Sequence, residues 1–531
     1  MSPNRRIFLN VIATYGRSLY VTAIGIFSVR WVLKSLGHVD YGLVGVVGGL
    51  VGFVSFLNTL MAASVGRYFA VNIGVSKKCE DSSAGLEICR RWFNTALLIH
   101  GVLATALVAI GYPIGEWAVR SFLRIPPEKV EACVWVWRYA CCSCFVSMVC
   151  VPFQAMFTAK QEIAEMTIYN VLATTFNAIF LYYMVTHAGE WLTKYSAWNS
   201  FIVAAPIVAI SIRAMTKYQE CRFCKDYLWD YVRVKELLAF SAARFWVGLC
   251  GMIGSQGQAI LVNKYMGPTY NSSMTIGNGV ANHANTFAAA LSTAFWPAIA
   301  NKAGEGDIHS LKKLSFQTCR FGTVLIMLFA MPLALEINYV LSLWLESPPP
   351  FADWICLVVL FRFVLDKMTE GYEMAIYALG DNVMPYCWIF GWAGVFTAGV
   401  AWICFMLGIG MLSIVIGLTV SKIITCVGRL WCGSKFPGFS CREWFYNVFL
   451  KLFIVGSVVI LCGFVVRENV EMSFARLVLV VLVCEVILIP LSWRYVLSIK
   501  ERQYVLCRVL GGIKKIRGSI GLKSSGKESL C

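Results

Sequence analysis

The chain has 531 residues, of which 58% are hydrophobic and 14% charged, with a mean hydropathy of +0.68. That is more apolar surface than a soluble core absorbs, so a water-soluble protein is excluded and an integral membrane protein is expected. The formal net charge of +17 reads as topology rather than as a nucleic-acid footprint. With the N-terminus taken as cytoplasmic, about 30 Lys and Arg fall in inward loops and termini against about 8 in outward loops.

The apolar runs approach about 20 residues without strand-like alternation, so the spans are helices and an outer-membrane barrel is disfavoured. Arg5 and Arg6 precede a first apolar segment with no small-residue cleavage site, which reads as a retained anchor. Spans are expected at Ile7–Val29, Tyr41–Ala63, Trp92–Ile110, Val134–Phe157, Ile168–Val185 and Phe201–Ile212, the last short for a full crossing. Pro113 is placed in an exported loop. After a charged segment come Leu237–Val262, Ser273–Ala298, Phe321–Leu341, Trp354–Leu379, Pro385–Leu407 and Met411–Val427. Pro348, Pro349 and Pro350 mark an exported turn, Gly408-Ile409-Gly410 a tight hairpin, and Arg429–Arg442 a cytoplasmic segment. Val448–Val466 and Phe474–Ser492 complete about fourteen spans.

Two stretches share an order of events. Residues 36–74, LGHVDYGLVGVVGGLVGFVSFLNTLMAASVGRYFAVNIG, run from a Leu-Gly pair through a turn with Tyr into a small-residue helix and a polar exit. Residues 266–304, MGPTYNSSMTIGNGVANHANTFAAALSTAFWPAIANKAG, repeat this from a Met-Gly pair. Such an echo implies two halves of one bundle related as parallel repeats. The expected architecture is therefore an all-α integral membrane protein: two six-helix lobes, residues 1–213 and 237–430, joined by a cytoplasmic linker at 214–236. Two additional spans follow within 431–493, then a basic cytoplasmic tail at 494–531.

Ionisable residues at membrane depth are retained mainly where they face water or a partner. Arg17 lies about midway along the first span and Arg244 early in the seventh; each suits an anion, which a guanidinium grips bidentately, and each also reads as snorkelling to the cytoplasmic surface. The tenth span carries Arg362, Asp366 and Glu370 at i, i+4 and i+8, with Lys367 and Glu373 beside them. The first two can pair, leaving an acid to hold a proton or a cation, so Asp366 and Glu370 are the ion-coupling candidates. Arg138 is a further cation, and Asn282 with His283 can hydrogen-bond a sugar or bridge two helices.

The 21 cysteines lie mostly in or beside apolar runs and read as small hydrophobes. No Walker pair, dinucleotide fingerprint, HExxH or closed zinc spacing is present, so no cofactor is expected and the drive is a gradient, the membrane potential or the reactant's own energy. A membrane-embedded polysaccharide-modifying enzyme would need a catalytic His or Arg facing an exported loop, and the five histidines are scattered.

The segment from Asn10 to Gly37, followed by DYGLVGVVGGLVGFVSFLNTLMAASVGRYFAVNIG and by NKYMGPTYNSSMTIGNGVANHANTFAAALSTAFWPAIANKAG, resembles the polysaccharide-exporting branch of the multidrug/oligosaccharidyl-lipid/polysaccharide superfamily. That branch comprises O-antigen and capsule-repeat flippases. The resemblance implies two lobes alternating around a central cavity, with a polyprenyl-diphosphate-linked oligosaccharide as cargo, and a bacterial inner-membrane location with both termini cytoplasmic. It implies that Arg17, and beside it Arg138 and Arg244, hold the diphosphate. Membrane lipids, a polysaccharide polymerase and glycosyltransferases are the partners it implies, and nucleic acid is not among them. The coupling ion stays open between sodium and a proton, with the membrane potential a third drive. A drug/cation antiporter of the same superfamily would instead use the acids of the tenth span.

Overall fold

The computed structural model describes residues 16–48 except 18, residues 65, 68 and 69, residues 82–498 except 161 and 381, and residues 501–502; the side chains of 82–85, 163, 238–244, 281–294 and 297 are outside that description. Among the described residues the chain is all helix and turn, and eleven helices are long and apolar enough to cross a membrane. The architecture is the expected all-α one, because only internal hydrogen bonding satisfies the backbone within hydrocarbon.

In chain order the helices are α1 (Leu19–Gly48), α2 (Ser82–Trp117), α3 (Val130–Val149), α4 (Val151–Ala159), α5 (Ile163–Thr186), α6 (Leu192–Lys217) and α7 (Tyr231–Met266). There follow α8 (Pro268–Gly304), α9 (Ile308–Leu335), α10 (Ile337–Leu345), α11 (Ala352–Leu379), α12 (Val383–Met406) and α13 (Leu412–Gly433). The last two are α14 (Cys441–Asn469), which contains one π turn at Phe445–Phe449, and α15 (Phe474–Leu491). Gly37, at φ +71°, interrupts α1, and Gly267, at φ +96°, separates α7 from α8. These are the glycines of the Leu-Gly and Met-Gly pairs; a left-handed backbone at these junctions is open to Gly and strained for other residues.

Several boundaries differ from the sequence reading. The first span continues past Val29 to the break at Gly37, because Trp31, Val32, Leu33 and Leu36 extend its apolar face. Pro113 lies inside α2 rather than in a loop. One missing donor is tolerable inside a long helix packed on its neighbours, and beside Pro113 the Trp137 indole of α3 donates to the Tyr112 carbonyl at 3.0 Å. The sixth span is a full 26-residue helix that runs through Pro206. The ninth breaks at Glu336, and α13 continues to Gly433, well past Val427. The Gly408 and Gly410 hairpin and the turn at Pro348–Pro350 fall where expected, with Gly408 at φ +77° and Gly410 at φ +69°.

The chain divides into two compact units: Met1–Thr286, Leu341–Val359 and Met384–Thr425 form the first, and Phe287–Val340, Leu360–Val383 and Cys426–Cys531 the second. In the first, Leu43, Val46 and Val47 of α1 pack with Val119, Leu123, Cys133, Val134 and Trp137. Gly42 lets that face meet α8 backbone to backbone, since a Cβ there would fall 1.8 Å from the Pro268 carbonyl oxygen. Of the other glycines in the two similar stretches, Gly277 abuts Ile355, Gly48 and Gly279 meet nothing within 4 Å among the described residues, and Gly49 and Gly52 lie outside the described residues. In the second unit α9 packs against α14 and α15. Gly456 lies against Met331 and Met327, and Gly463 against Leu335 and Cys484.

Candidate functional site

The second unit holds a buried charge cluster on α11 and α13. Asp366, Glu370 and Glu373 face three cations, Arg362, Lys367 and Arg429. Lys367 and Arg429 are each only 3% exposed, so both need partners, because a lone buried charge is severely destabilising. Lys367 donates to Glu370 at 2.7 Å, one turn along the same helix. Arg429 spans two acids: Nη1 lies 2.8 Å from Asp366 and Nη2 lies 2.5 Å from Glu373. The same Nη1 reaches the Asp366 carbonyl at 3.3 Å and the Thr369 hydroxyl at 3.2 Å. Cys426, one turn before Arg429, packs its sulfur 3.5 Å from the Thr369 hydroxyl and holds α13 on α11.

Arg362 is the remaining cation. Its Nε is buried without a hydrogen-bond partner. Asp366, one turn further along, is taken by Arg429 instead. Arg362 stays within electrostatic reach of Asp366, as the i, i+4 spacing allows, but the close ion pair of Asp366 is the tertiary one. The three acids are thus committed to ion pairs, while the Arg362 Nε is buried without a hydrogen-bond partner.

The sequence reading put Arg429 in a cytoplasmic segment. The structure buries it within α13, on one face with Ser421, Thr425 and Cys432, all buried. The spacing of those four residues was the available signal, and it was masked by reading any arginine after an apolar run as a loop residue.

The other candidates are dispersed. Arg17 is helical and half-buried in the first unit, with no hydrogen bond or ion pair among the described residues. Arg138 is engaged on α3: its Nε donates to the Tyr112 hydroxyl at 3.1 Å, it lies 3.5 Å from Glu116, and it sits over the Trp135 ring. Arg244 lies in α7 and Asn282 and His283 in α8, but their side chains are outside the described residues.

Polar contacts that the sequence did not suggest fasten helix ends within the first unit. Arg30 and Lys34, before Gly37, both pair with Glu346, which follows α10 and holds a left-handed φ of 63°. The hydrogen bond from Arg30, with the nearby Lys34 charge, holds the Glu346 carboxyl below its usual range. Beside it the Trp344 indole donates to the Ile26 carbonyl at 2.6 Å. The Asn263 side chain, at the end of α7, accepts from the Arg124 amide at 2.6 Å and donates to the Arg124 carbonyl at 3.3 Å.

No protein-family model matches the chain, and no curated protein sequence does. Solved structures do. The chain is similar to a lipid II flippase, MurJ, in an inward closed conformation, with a TM-score of 0.67 at 12% identity over 91% of this chain and 98% of that one. It is also similar to an inward-facing multidrug resistance MATE family transporter of the MOP superfamily, with a TM-score of 0.58 at 15% identity over 79% and 94% of the two chains. A eukaryotic MATE transporter, AtDTX14, follows at a TM-score of 0.50 and 13% identity, over 80% and 94%. At these identities the likeness is one of fold: this multi-pass membrane protein shares the helical architecture of those transporters over 79–91% of its length.

Proposed function

We propose that this protein flips a polyprenyl-diphosphate-linked oligosaccharide repeat unit from the cytoplasmic to the periplasmic leaflet of a bacterial inner membrane by alternating access, for surface polysaccharide biosynthesis. The observation that carries the reading is Arg362. Every acid around it already holds a cation, and its own buried Nε has none, so the cluster presents a guanidinium to an anion rather than a carboxylate to a cation. A diphosphate is a bidentate partner for such a fork. In the first unit, Arg17, without a partner among the described residues, remains a proposed phosphate contact on its own account. Asn282 and His283 remain the proposed sugar contacts.

The likeness to a protein named a lipid II flippase supports a lipid-linked cargo. The chemistry is non-covalent, so the chain acts as a transporter and needs no nucleophile. A polymerase and glycosyltransferases would supply and consume such a repeat unit. The antiporter reading is weakened because Asp366, Glu370 and Glu373, its cation ligands, are paired within the protein.

The test is binding of a polyprenyl-diphosphate sugar to detergent-solubilised wild type, Arg17→Ala and Arg362→Gln at two ionic strengths. Wild type should bind with only modest salt weakening, both variants should lose affinity, and Arg17→Lys should recover part of it by keeping charge without the planar fork. Failure of the wild type to bind, together with binding of small organic cations, would replace this reading by the antiporter.

A further inference from the structure

Between α6 and α7 the chain is held against α2 as an ordered strap. Two short 3-10 turns, Gln219–Cys221 and Lys225–Tyr227, pack on α2. The buried Asn94 side chain donates to the Arg222 carbonyl at 3.2 Å and accepts the Cys224 amide at 2.8 Å, and the buried Thr95 hydroxyl donates to the Tyr227 carbonyl at 3.3 Å. Arg91 lies over the Tyr227 ring, its guanidinium carbon 4.8 Å from the ring centre. With its backbone fixed in this way, the strap buries Cys221 and leaves Phe223 and Trp229 57% and 70% exposed. Tyr231 and Val232, which open α7, are exposed as well. Large apolar side chains gathered on a surface mark a contact with membrane or protein.

Helix length places the strap relative to the bilayer, since about 20 helical residues cross the hydrocarbon. Counted back from the exposed Trp117 at the far end of α2, they reach Leu97. Asn94 and Thr95, which hold the strap, then stand about 3–5 Å beyond the boundary, in the headgroup layer. The same count from Leu192 along α6 ends at Ile212, so the last turn of α6 and the strap after Lys217 lie in that layer too. Tryptophan favours this layer, because its ring meets hydrocarbon with its body and water with its polar edge. Charge points the same way: Glu220 is held by Lys160, Asp230 by Arg233 and Glu87 by Arg91, which leaves Arg90, Arg222 and Lys225 against Asp226.

We propose that residues 222–232 are an interfacial anchor, with Phe223 and Trp229 seated in the headgroup layer and Arg222 and Lys225 on the phosphates of anionic lipid. The join between α6 and α7 is thereby held at the membrane surface by lipid as well as by α2. The inference rests on the depth of α2 and α6 and on the strap's own surface, and is independent of the cargo.

The experiment uses the purified full-length chain in nanodiscs of phosphatidylcholine alone or mixed with phosphatidylglycerol. Benzoylphenylalanine, a photoactivatable analogue of phenylalanine, replaces Phe223 or Trp229 and, in controls, the exposed Phe453 of α14 or Glu305 in the turn after α8. Lipid adducts at Phe223 and Trp229 should exceed those at Glu305 severalfold and approach those at Phe453. Phosphatidylglycerol should raise the yield at the two strap positions but not at Phe453, and Arg222→Gln combined with Lys225→Gln should remove that rise. Yields no higher than at Glu305, or equal in the two lipid mixtures, would overturn the proposal. So would adducts to another protein in place of lipid when the same variants are irradiated in cell membranes. Hydrogen exchange of the unsubstituted chain gives a reading that needs no variant: peptides within residues 218–232 should exchange more slowly with phosphatidylglycerol present than in phosphatidylcholine alone, and equal exchange would overturn the proposal.

Discussion

Glu336, withdrawn from solvent at the break after α9, pairs with Arg476 in the first turn of α15 at 2.7 Å. Near the other end of α9, Arg320 pairs with the buried Glu501. Together these pin the C-terminal helices to α9 at both ends, with Gly456 and Gly463 allowing close contact between. Glu336→Gln or Arg476→Met alone strands a buried charge or donor and should cost about 3–5 kcal/mol. The double variant should recover most of that loss, because it removes both charges. Unfolding midpoints of the three purified proteins test this, and a double variant no better than the singles would reject the pairing.

Gly42 and Gly48 lie on one helix with opposite surroundings. Ala at Gly42 would place its Cβ 1.8 Å from a backbone oxygen, which only a helix shift relieves, and should cost about 1–3 kcal/mol. Ala at Gly48 meets nothing within 4 Å among the described residues and should be neutral or stabilise by up to about 1 kcal/mol through helix propensity. A lower unfolding midpoint for the first variant only is the expected result.

The Glu346 contact with Arg30 and Lys34 has a defined pH window. The folded carboxyl titrates below the reference value of 4.5, so its contribution is fully present above that value and is lost as the pH falls through the lower folded value. Hydrogen exchange in peptides covering residues 26–37 and 341–352, corrected for intrinsic rate, should be unchanged from neutral pH down to about 5 and rise in more acid solution. Glu346→Gln should show the faster exchange already at neutral pH. Equal exchange in the variant and wild type would mean that the Trp344 and packing contacts suffice.

Topology is testable without any assay of cargo. From the bias of basic residues, reporters fused after Lys225 and after Gly433 should read as cytoplasmic, and one after Glu346 as exported. An exported signal at Lys225 would overturn the orientation and the repeat together.

The helical class was legible because a membrane leaves the backbone one local solution, and long Leu, Val, Ile and Phe runs announce it. The breaks at Gly37 and Gly267 were legible for a similar reason, since a left-handed junction favours the one residue without a Cβ. Helix ends were less so. Pro113 and Pro206 look like terminators in one dimension, yet both lie inside helices. Arg429 looks like the start of a loop until a facing helix supplies two carboxylates.

Which residues are costly in lipid is a property of the chain, and the sequence by itself determined that α11 would hold a charged stripe. Who satisfies each charge is not such a property. Asp366 lies one turn from Arg362 and 63 positions from Arg429, and local spacing favours the nearer partner; packing of α13 on α11 awards it to the farther one. The same holds for Glu336 with Arg476 and Glu346 with Arg30, separated by 140 and 316 positions. Only the tertiary structure decided these pairs, because an ion pair in a low-dielectric interior depends on an approach of a few ångströms between side chains that sequence separation does not encode.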